Sequence, residues 1–175
     1  MLRPFLALAL CAVPVFAEEA QEAVLRPKGV DANVLNPCEI ALDGKRHLAY
    51  LRGNETAALG VLDVRTLALK GVPLPAPARA VVAYPETGTV YVLHALSVSV
   101  SPAGAGKFVS SPVGEGYAMV ADPAADGVYV ASGPELARIG PDASVKVLLK
   151  LDSGTVRRIA VDAKRGLVHV DEGGT

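Results

Sequence analysis

Three histidines, a set of turn carboxylates, two glycine-rich stretches and a lone cysteine are the residues of this chain whose types could do chemistry. His47, His94 and His169 are its only histidines. A metal centre would need their imidazoles to converge on one point. They stand at different phases of the hydrophobic pattern: His47 before an apolar run, His94 after one, His169 inside one. Side chains at different phases do not converge, so they read as separate structural or surface histidines, and a packing role is expected of His169, which stands where the other units carry Tyr. Asp43, Asp122 and Asp162 each follow an apolar run and open a turn, with Glu86 near the equivalent place. Aspartate in that position accepts hydrogen bonds from its own turn amides. The alternative is a ring of carboxylates at one mouth of the fold, suited to a cation or to general-base work.

The remaining motifs fail on their spacing. Gly104-Ala105-Gly106-Lys107 has the look of a phosphate loop, but Ser101 stands where its first glycine belongs and Phe108 where Ser or Thr should hold Mg²⁺. Gly114-Glu115-Gly116 is followed by Met119 where a dinucleotide site needs a third small residue. No Gly-x-Ser-x-Gly elbow is present. Asn54-Glu55-Thr56 matches a glycosylation acceptor, which matters only in a glycosylating host. Cys38 beside Ile40-Ala41-Leu42 is expected to be a small buried residue. The sequence therefore assigns no catalytic residue, no metal ligand and no cofactor site.

Composition narrows the field further. Among 175 residues, 17 are basic and 18 acidic, with no Lys/Arg run, no Trp and only 5% aromatics. That composition offers nothing to a polyanion, so nucleic acid is not an expected partner. Just over half of the residues are hydrophobic, enough for a packed core and against disorder.

Residues 1–17 read as a secretion signal: Arg3 gives the positive start and Phe5 to Val13 an apolar stretch too short to span a bilayer. Val15-Phe16-Ala17 places small or compact residues for cleavage between Ala17 and Glu18. With Cys11 gone, Cys38 has no disulfide partner. No second apolar stretch follows, so residues 18–175 are expected to form one domain without a membrane span, periplasmic or secreted.

Four segments share one plan, and they are the elements that must position any site. Ile40-Ala41-Leu42, Ala80-Val81-Val82-Ala83, Ala118-Met119-Val120-Ala121 and Ile159-Ala160-Val161 are each followed by a turn and a second apolar run. Those second runs carry Tyr50, Tyr91, Tyr129 and His169 at equivalent places, spaced by 41, 38 and 40 residues. Short, branched, turn-bounded runs are strands, and each pair reads as a hairpin. An Ala-rich first strand suits crowding around an axis, and a continuously apolar second strand suits burial on both faces. More polar third and fourth strands follow, at Leu59–Val64 with Leu67–Lys70, Leu96–Val100 with Lys107–Val109, and Leu136–Ile139 with Val145–Leu149. A repeat of this length signals stacked units. The expected fold is all-β: a β-propeller-like array of about four four-stranded antiparallel blades.

Val90-Tyr91-Val92, Val128-Tyr129-Val130 and Val61-Leu62-Asp63-Val64-Arg65-Thr66 resemble the YVTN-type repeat of bacterial β-propellers, over residues 37 to 171. The Thr-Asn that names the repeat is absent, being Leu93-His94 and Ala131-Ser132 here. The resemblance implies the fold and leaves function open, because propellers host many functions.

The leading functional expectation is a non-catalytic binding or scaffold module for a protein or small-molecule ligand. Its candidate contacts lie in the loops after the second strands: Arg52, Asn54 and Glu55, then His94, then Glu135, then Asp171 and Glu172. The alternative implied by the resemblance is a lactonase-like or quinoprotein-dehydrogenase-like enzyme or subunit, or a fragment of a larger propeller. Asn occurs only at Asn33, Asn36 and Asn54, which speaks against a ring of lactonase-type ligands. Ring closure stays open. Residues 18–36 and 155–175 together amount to one period. The strand candidates at Val24–Arg26 and Val30–Leu35 would thus complete the last blade.

Overall fold

The computed structural model describes residues 37–53, 56–102 and 106–173. The signal, its cleavage point at Ala17 and Glu18, and the closing strands expected within 22–35 lie outside the described residues, as do Asn54 and Glu55. Every regular element among the described residues is a strand. The first sheet runs in the order β1 (Pro37–Asp43), β2 (Leu48–Gly53), β3 (Ala58–Asp63), β4 (Leu69–Pro73). The second holds β5 (Ala80–Ala83), β6 (Val90–Leu93), β7 (Ser97–Ser101) and β8 (Val109–Pro112), again in sequence order. The third holds β9 (Gly116–Ala121), β10 (Val128–Ser132), β11 (Glu135–Ile139) and β12 (Val145–Lys150). The fourth is the pair β13 (Thr155–Asp162) and β14 (Leu167–Gly173). All pairings are antiparallel. The chain is a propeller-like array of four blades, the last showing two strands among the described residues.

The turns are set by side-chain chemistry. Asp43 Oδ1 accepts the Arg46 amide at 3.0 Å, Asp122 Oδ1 the Ala124 amide at 3.0 Å, and Asp162 Oδ1 the Lys164 and Arg165 amides at 3.0 and 3.1 Å. These are the turn roles expected of the repeat aspartates. Asp63 does the same for Arg65 and Thr66 at 2.9 and 3.0 Å. That turn carries the chain through Leu67 at φ 59°, so β4 begins at Leu69 rather than at Leu67.

Blades stack by their inner strands: β1 lies on β5, β5 on β9 and β9 on β13. Nothing comparable joins β13 back to β1. The second strand of the second blade is shared between two cores. Along β6, Val90 and Val92 turn back toward the first blade, where they pack with Tyr50, Leu59, Leu74, Ala78 and Val81. Tyr91 and Leu93 turn forward and pack with Val98, Val100, Val128, Val130 and Ile139. All four side chains of β6 are fully buried. The repeat tyrosine therefore points at the next blade, and Tyr50 and Tyr91 are buried for that reason.

Two expectations are corrected. Cys38 is exposed and not buried, because β1 is the edge strand of the first blade and a bulge between Pro37 and Glu39 interrupts its register there. His169 has no packing role among the described residues. It faces outward and is exposed, since no described blade lies beyond the fourth.

The two buried tyrosines differ in one respect. The Tyr91 hydroxyl donates to Asp126 Oδ1 at 2.8 Å, whereas the Tyr50 hydroxyl is buried with no hydrogen-bond partner. An unpartnered buried hydroxyl forfeits its hydration with no return. Tyr50→Phe is therefore expected to raise stability by about 1 kcal/mol, seen as a higher urea midpoint at unchanged slope. A lower midpoint would mean that the hydroxyl is solvated in solution.

Candidate functional site

The antiparallel blades present two rims. One carries the turns between first and second strands, at residues 43–47, 84–89, 122–127 and 162–166. The other carries the loops after the second strands together with the connectors between blades.

At the turn rim the polar groups couple neighbouring blades. Lys45 pairs with Glu86, and Arg46 Nη1 donates to the Pro85 carbonyl at 3.0 Å. Asp126 accepts from Thr89 Oγ1 at 2.7 Å and from Tyr91 at 2.8 Å. The Tyr84 hydroxyl lies against the carbonyls of Asp122, at 2.7 Å, and Gly127. A cleft of about 290 Å³ opens here, lined by Tyr84, Glu86, Thr87 and residues 121–126. Burial pushes the Tyr84 phenol up to about 12 and the Tyr91 phenol higher still, with the Asp126 hydrogen bond adding to the latter. Both stay protonated at neutral pH and serve as hydrogen-bond donors. Burial also pushes the Asp122 carboxyl up, but the Arg138 hydrogen bond (2.7 Å), the Ala124 amide and the Arg138 charge outweigh it and hold the group below its usual value. Of the carboxylates of this cleft, Glu86 and Asp126 bridge to a neighbouring blade, while Asp122 ties Arg138 and the Ala124 amide within its own.

At the loop rim, backbone bonds stitch the described loops of the second and third blades to their neighbours. The Gly116 amide donates to Ala95, Gly133 to Glu115, Leu151 to Pro134 and Val156 to Gly133, all at 2.8–2.9 Å. Arg79 Nη1 reaches the Gly116 carbonyl at 2.7 Å. The third blade sits so close that a Cβ on Gly116 would meet Leu93 Cδ1 at 2.7 Å and the His94 carbonyl at 3.0 Å.

The candidate contacts divide on this rim. Arg52 and His94 converge on one connector from two blades. Arg52 Nη1 donates to the Ala78 carbonyl at 3.2 Å, while its Nε pairs with Glu39 at 2.7 Å. His94 Nδ1 lies 3.2 Å from the Pro77 carbonyl and its Nε2 lies 2.8 Å from Ser99 Oγ, which in turn bonds Ser110 Oγ at 2.7 Å. His94 is 1% exposed, so it clamps the connector from inside and presents nothing to solvent. Glu135 pairs with Lys150 at 3.1 Å where β11 meets β12. Glu172 is exposed and leans over the turn before β13, where a Cβ on Gly154 would collide with its Oε1. Asp171 lines a hollow of about 290 Å³ along β13 and β14 with Arg158, Ile159, Ala160, His169 and Val170. Asp126, Thr89 and Arg138 escape a sequence reading, because their partners stand 16 to 37 residues away.

Burial holds the His94 imidazole below its ordinary value of 6.5, against the raising effect of the Pro77 and Ala76 carbonyls. The unfolded chain takes up a proton near that value and the folded chain does not. Stability is then complete above about pH 6.5 and falls as pH drops toward the folded value. Urea unfolding at pH 7.5 and 5.5 should show this loss, and His94→Gln should flatten it. An equal loss in the variant would assign the pH dependence elsewhere.

No family model matches the chain, and no curated protein matches it. Solved structures do. The extracellular domain of the hybrid two-component system BT4673 from B. thetaiotaomicron aligns with a TM-score of 0.60 at 16% identity, over 75% of this chain and 19% of that one. Hydrazine synthase of Kuenenia stuttgartiensis aligns at 0.60 and 17%, over 77% and 41%. A streptogramin B lyase structure aligns at 0.63 and 12%, over 78% and 48%. The fold is that of a β-propeller. The chain spans less than half the length of each of these chains, and at such identities the likeness concerns the fold alone. Within this propeller no group of three His, Cys, Asp or Glu side chains among the described residues is arranged to hold a metal, and no described helix is long and apolar enough to cross a membrane.

Proposed function

We propose that this chain is an exported, non-catalytic binding module that holds a protein or small-molecule ligand on the loop rim of its propeller. The observation that supports the reading is the stitching of that rim. Backbone bonds from Gly116 to Ala95 and from Val156 to Gly133 tie its second, third and fourth blades together, while Glu115, Tyr117, Lys150, Arg157 and Glu172 remain exposed on it. A rigid scaffold presenting mixed exposed charges loses little entropy on binding. The turn rim spends its polar groups on blade contacts instead. Residues 1–17 support export to the periplasm or beyond, and an extracellular domain is among the propellers that the fold resembles.

The test compares three forms of the full chain purified after export: the parent, a loop-rim variant (Glu115→Lys with Glu172→Lys) and a turn-rim control (Glu86→Lys). Each is immobilised and exposed to envelope extract. A species retained by the parent and the control but not by the loop-rim variant supports the reading. Retention by none, or equally by all, overturns it. One divalent ion per purified chain would favour the enzyme alternative.

A further inference from the structure

His94 meets no solvent, but its chain of hydrogen bonds reaches the surface. The Pro77 carbonyl, 3.2 Å from Nδ1, can only accept, so Nδ1 carries the proton. The neutral imidazole then offers a lone pair at Nε2, and the Ser99 hydroxyl donates to it at 2.8 Å. Ser99 has a single hydroxyl proton, already given to that bond. At the 2.7 Å contact between Ser99 and Ser110 the donor is therefore Ser110. The direction of the chain is fixed, from the Ser110 hydroxyl through Ser99 to a base. His94 and Ser99 are buried, while Ser110 is exposed.

The sheet places that hydroxyl at an open edge. β8 is the outermost strand of the second blade, and Ser110 stands directly opposite Ser99 of β7. At the end of the same ladder the Val113 amide bonds the Leu96 carbonyl at 3.1 Å. Bonded and unbonded pairs alternate along antiparallel strands. Ser99 and Ser110 are thus an unbonded pair, in which side chains stand closest and the Ser110 amide faces away from β7. Ser110 therefore presents a polarised hydroxyl and an outward N–H on one residue. Ser111 differs, because its hydroxyl donates to the Ala143 carbonyl, which is no base.

We propose that Ser110 is an acyl-acceptor site, modified by activated esters or thioesters that reach the outer edge of the second blade. Ser110 Oγ forms a bond to the acyl carbon as that carbon's bond to the leaving oxygen or sulfur breaks. The Ser110 proton moves to Ser99 Oγ while the Ser99 proton moves to His94 Nε2. The imidazolium returns a proton through Ser99 to the departing alkoxide or thiolate. One acyl group is gained and one alcohol or thiol is released. The outward Ser110 amide donates to the acyl oxygen as negative charge builds there. Ser99 and His94 do not touch the donor; they position the hydroxyl and carry its proton. The chain is modified once, so the site requires no turnover. It lies on the outer edge between the rims, and the proposal is independent of the loop-rim reading.

The probe is p-nitrophenyl acetate, added to the full chain purified after export. Peptide mass spectrometry over time should find acetyl on Ser110 well before it appears on Ser111. Ser99→Ala should slow acetylation of Ser110 by about 100-fold, within the range of general-base assistance, with an unchanged circular dichroism spectrum. The pH profile separates a relay from a structural role. Burial and the Pro77 and Ala76 carbonyls are what bear on the ionisation of His94. The parent rate at Ser110 should be level above about pH 6.5 and fall at lower pH, as the imidazole takes up a proton and ceases to be a base. Acetylation of Ser110 no faster than of Ser111 overturns the proposal. So does an unchanged rate in a folded Ser99→Ala variant. Should that variant not fold, a parent rate that holds level from pH 7.5 to 5.5 overturns it equally.

Discussion

Tyr91→Ala is expected to cost about 3–5 kcal/mol, the range for truncating a buried aromatic side chain. Tyr91 is fully buried at the centre of the core between the second and third blades, in edge contact with Tyr84 at a ring distance of 5.8 Å. Its hydroxyl also ties the second blade to Asp126 of the third. Two losses are therefore combined, and a second variant separates them. Tyr91→Phe keeps the ring and removes only the hydrogen bond to a carboxylate, for about 1.5–3 kcal/mol. Urea unfolding of both variants checks the partition. A Phe variant as unstable as the Ala variant would mean that the Asp126 bond, rather than ring packing, holds the blades.

The second large effect lies one interface earlier. Leu59→Ala should cost about 2–5 kcal/mol, since Leu59 is fully buried among Tyr50, Leu74, Ala78, Val81, Val90 and Val92. The two substitutions act on different clusters with no shared member. In a stacked array stability is close to a sum of blade and nearest-neighbour terms. Their costs should then add to within about 0.5 kcal/mol. Hydrogen exchange should distinguish them by place. Leu59→Ala releases amides of β1 to β4 first, whereas Tyr91→Ala releases both sides of the middle junction. Uniform loss of protection in both variants would mean that the blades unfold as one body.

The blades were legible in the sequence because both of their signals are local. Turn aspartates and apolar hairpin runs locate β1, β2, β5, β6 and β10 to within a few residues, and the tyrosine spacing gives the stacking direction its marker. The outer strands were less legible. β8 was expected at Lys107–Val109 and lies at Val109–Pro112, with three of its four residues exposed. Rim strands are selected by ladder pairing rather than by hydrophobic burial, so their composition marks them poorly. The candidate contacts show a different limit. Position after a second strand puts Arg52, His94, Glu135, Asp171 and Glu172 toward one rim. It does not say that the His94 ring turns inward to Pro77 and Ser99 while Glu172 stays in solvent, because that choice depends on a connector 17 residues upstream of His94.

The serial contact of blade on blade has a mechanical consequence. Each blade is held only by its immediate neighbours and by its own hairpins, with no clasp from the fourth back to the first among the described residues. A pull on the two ends is then borne in series. The array should yield in discrete steps, one blade at a time, and the repeat spacing of 38 to 41 residues sets the step. At about 3.3–3.6 Å per extended residue, each event should lengthen the tether by on the order of 130 Å.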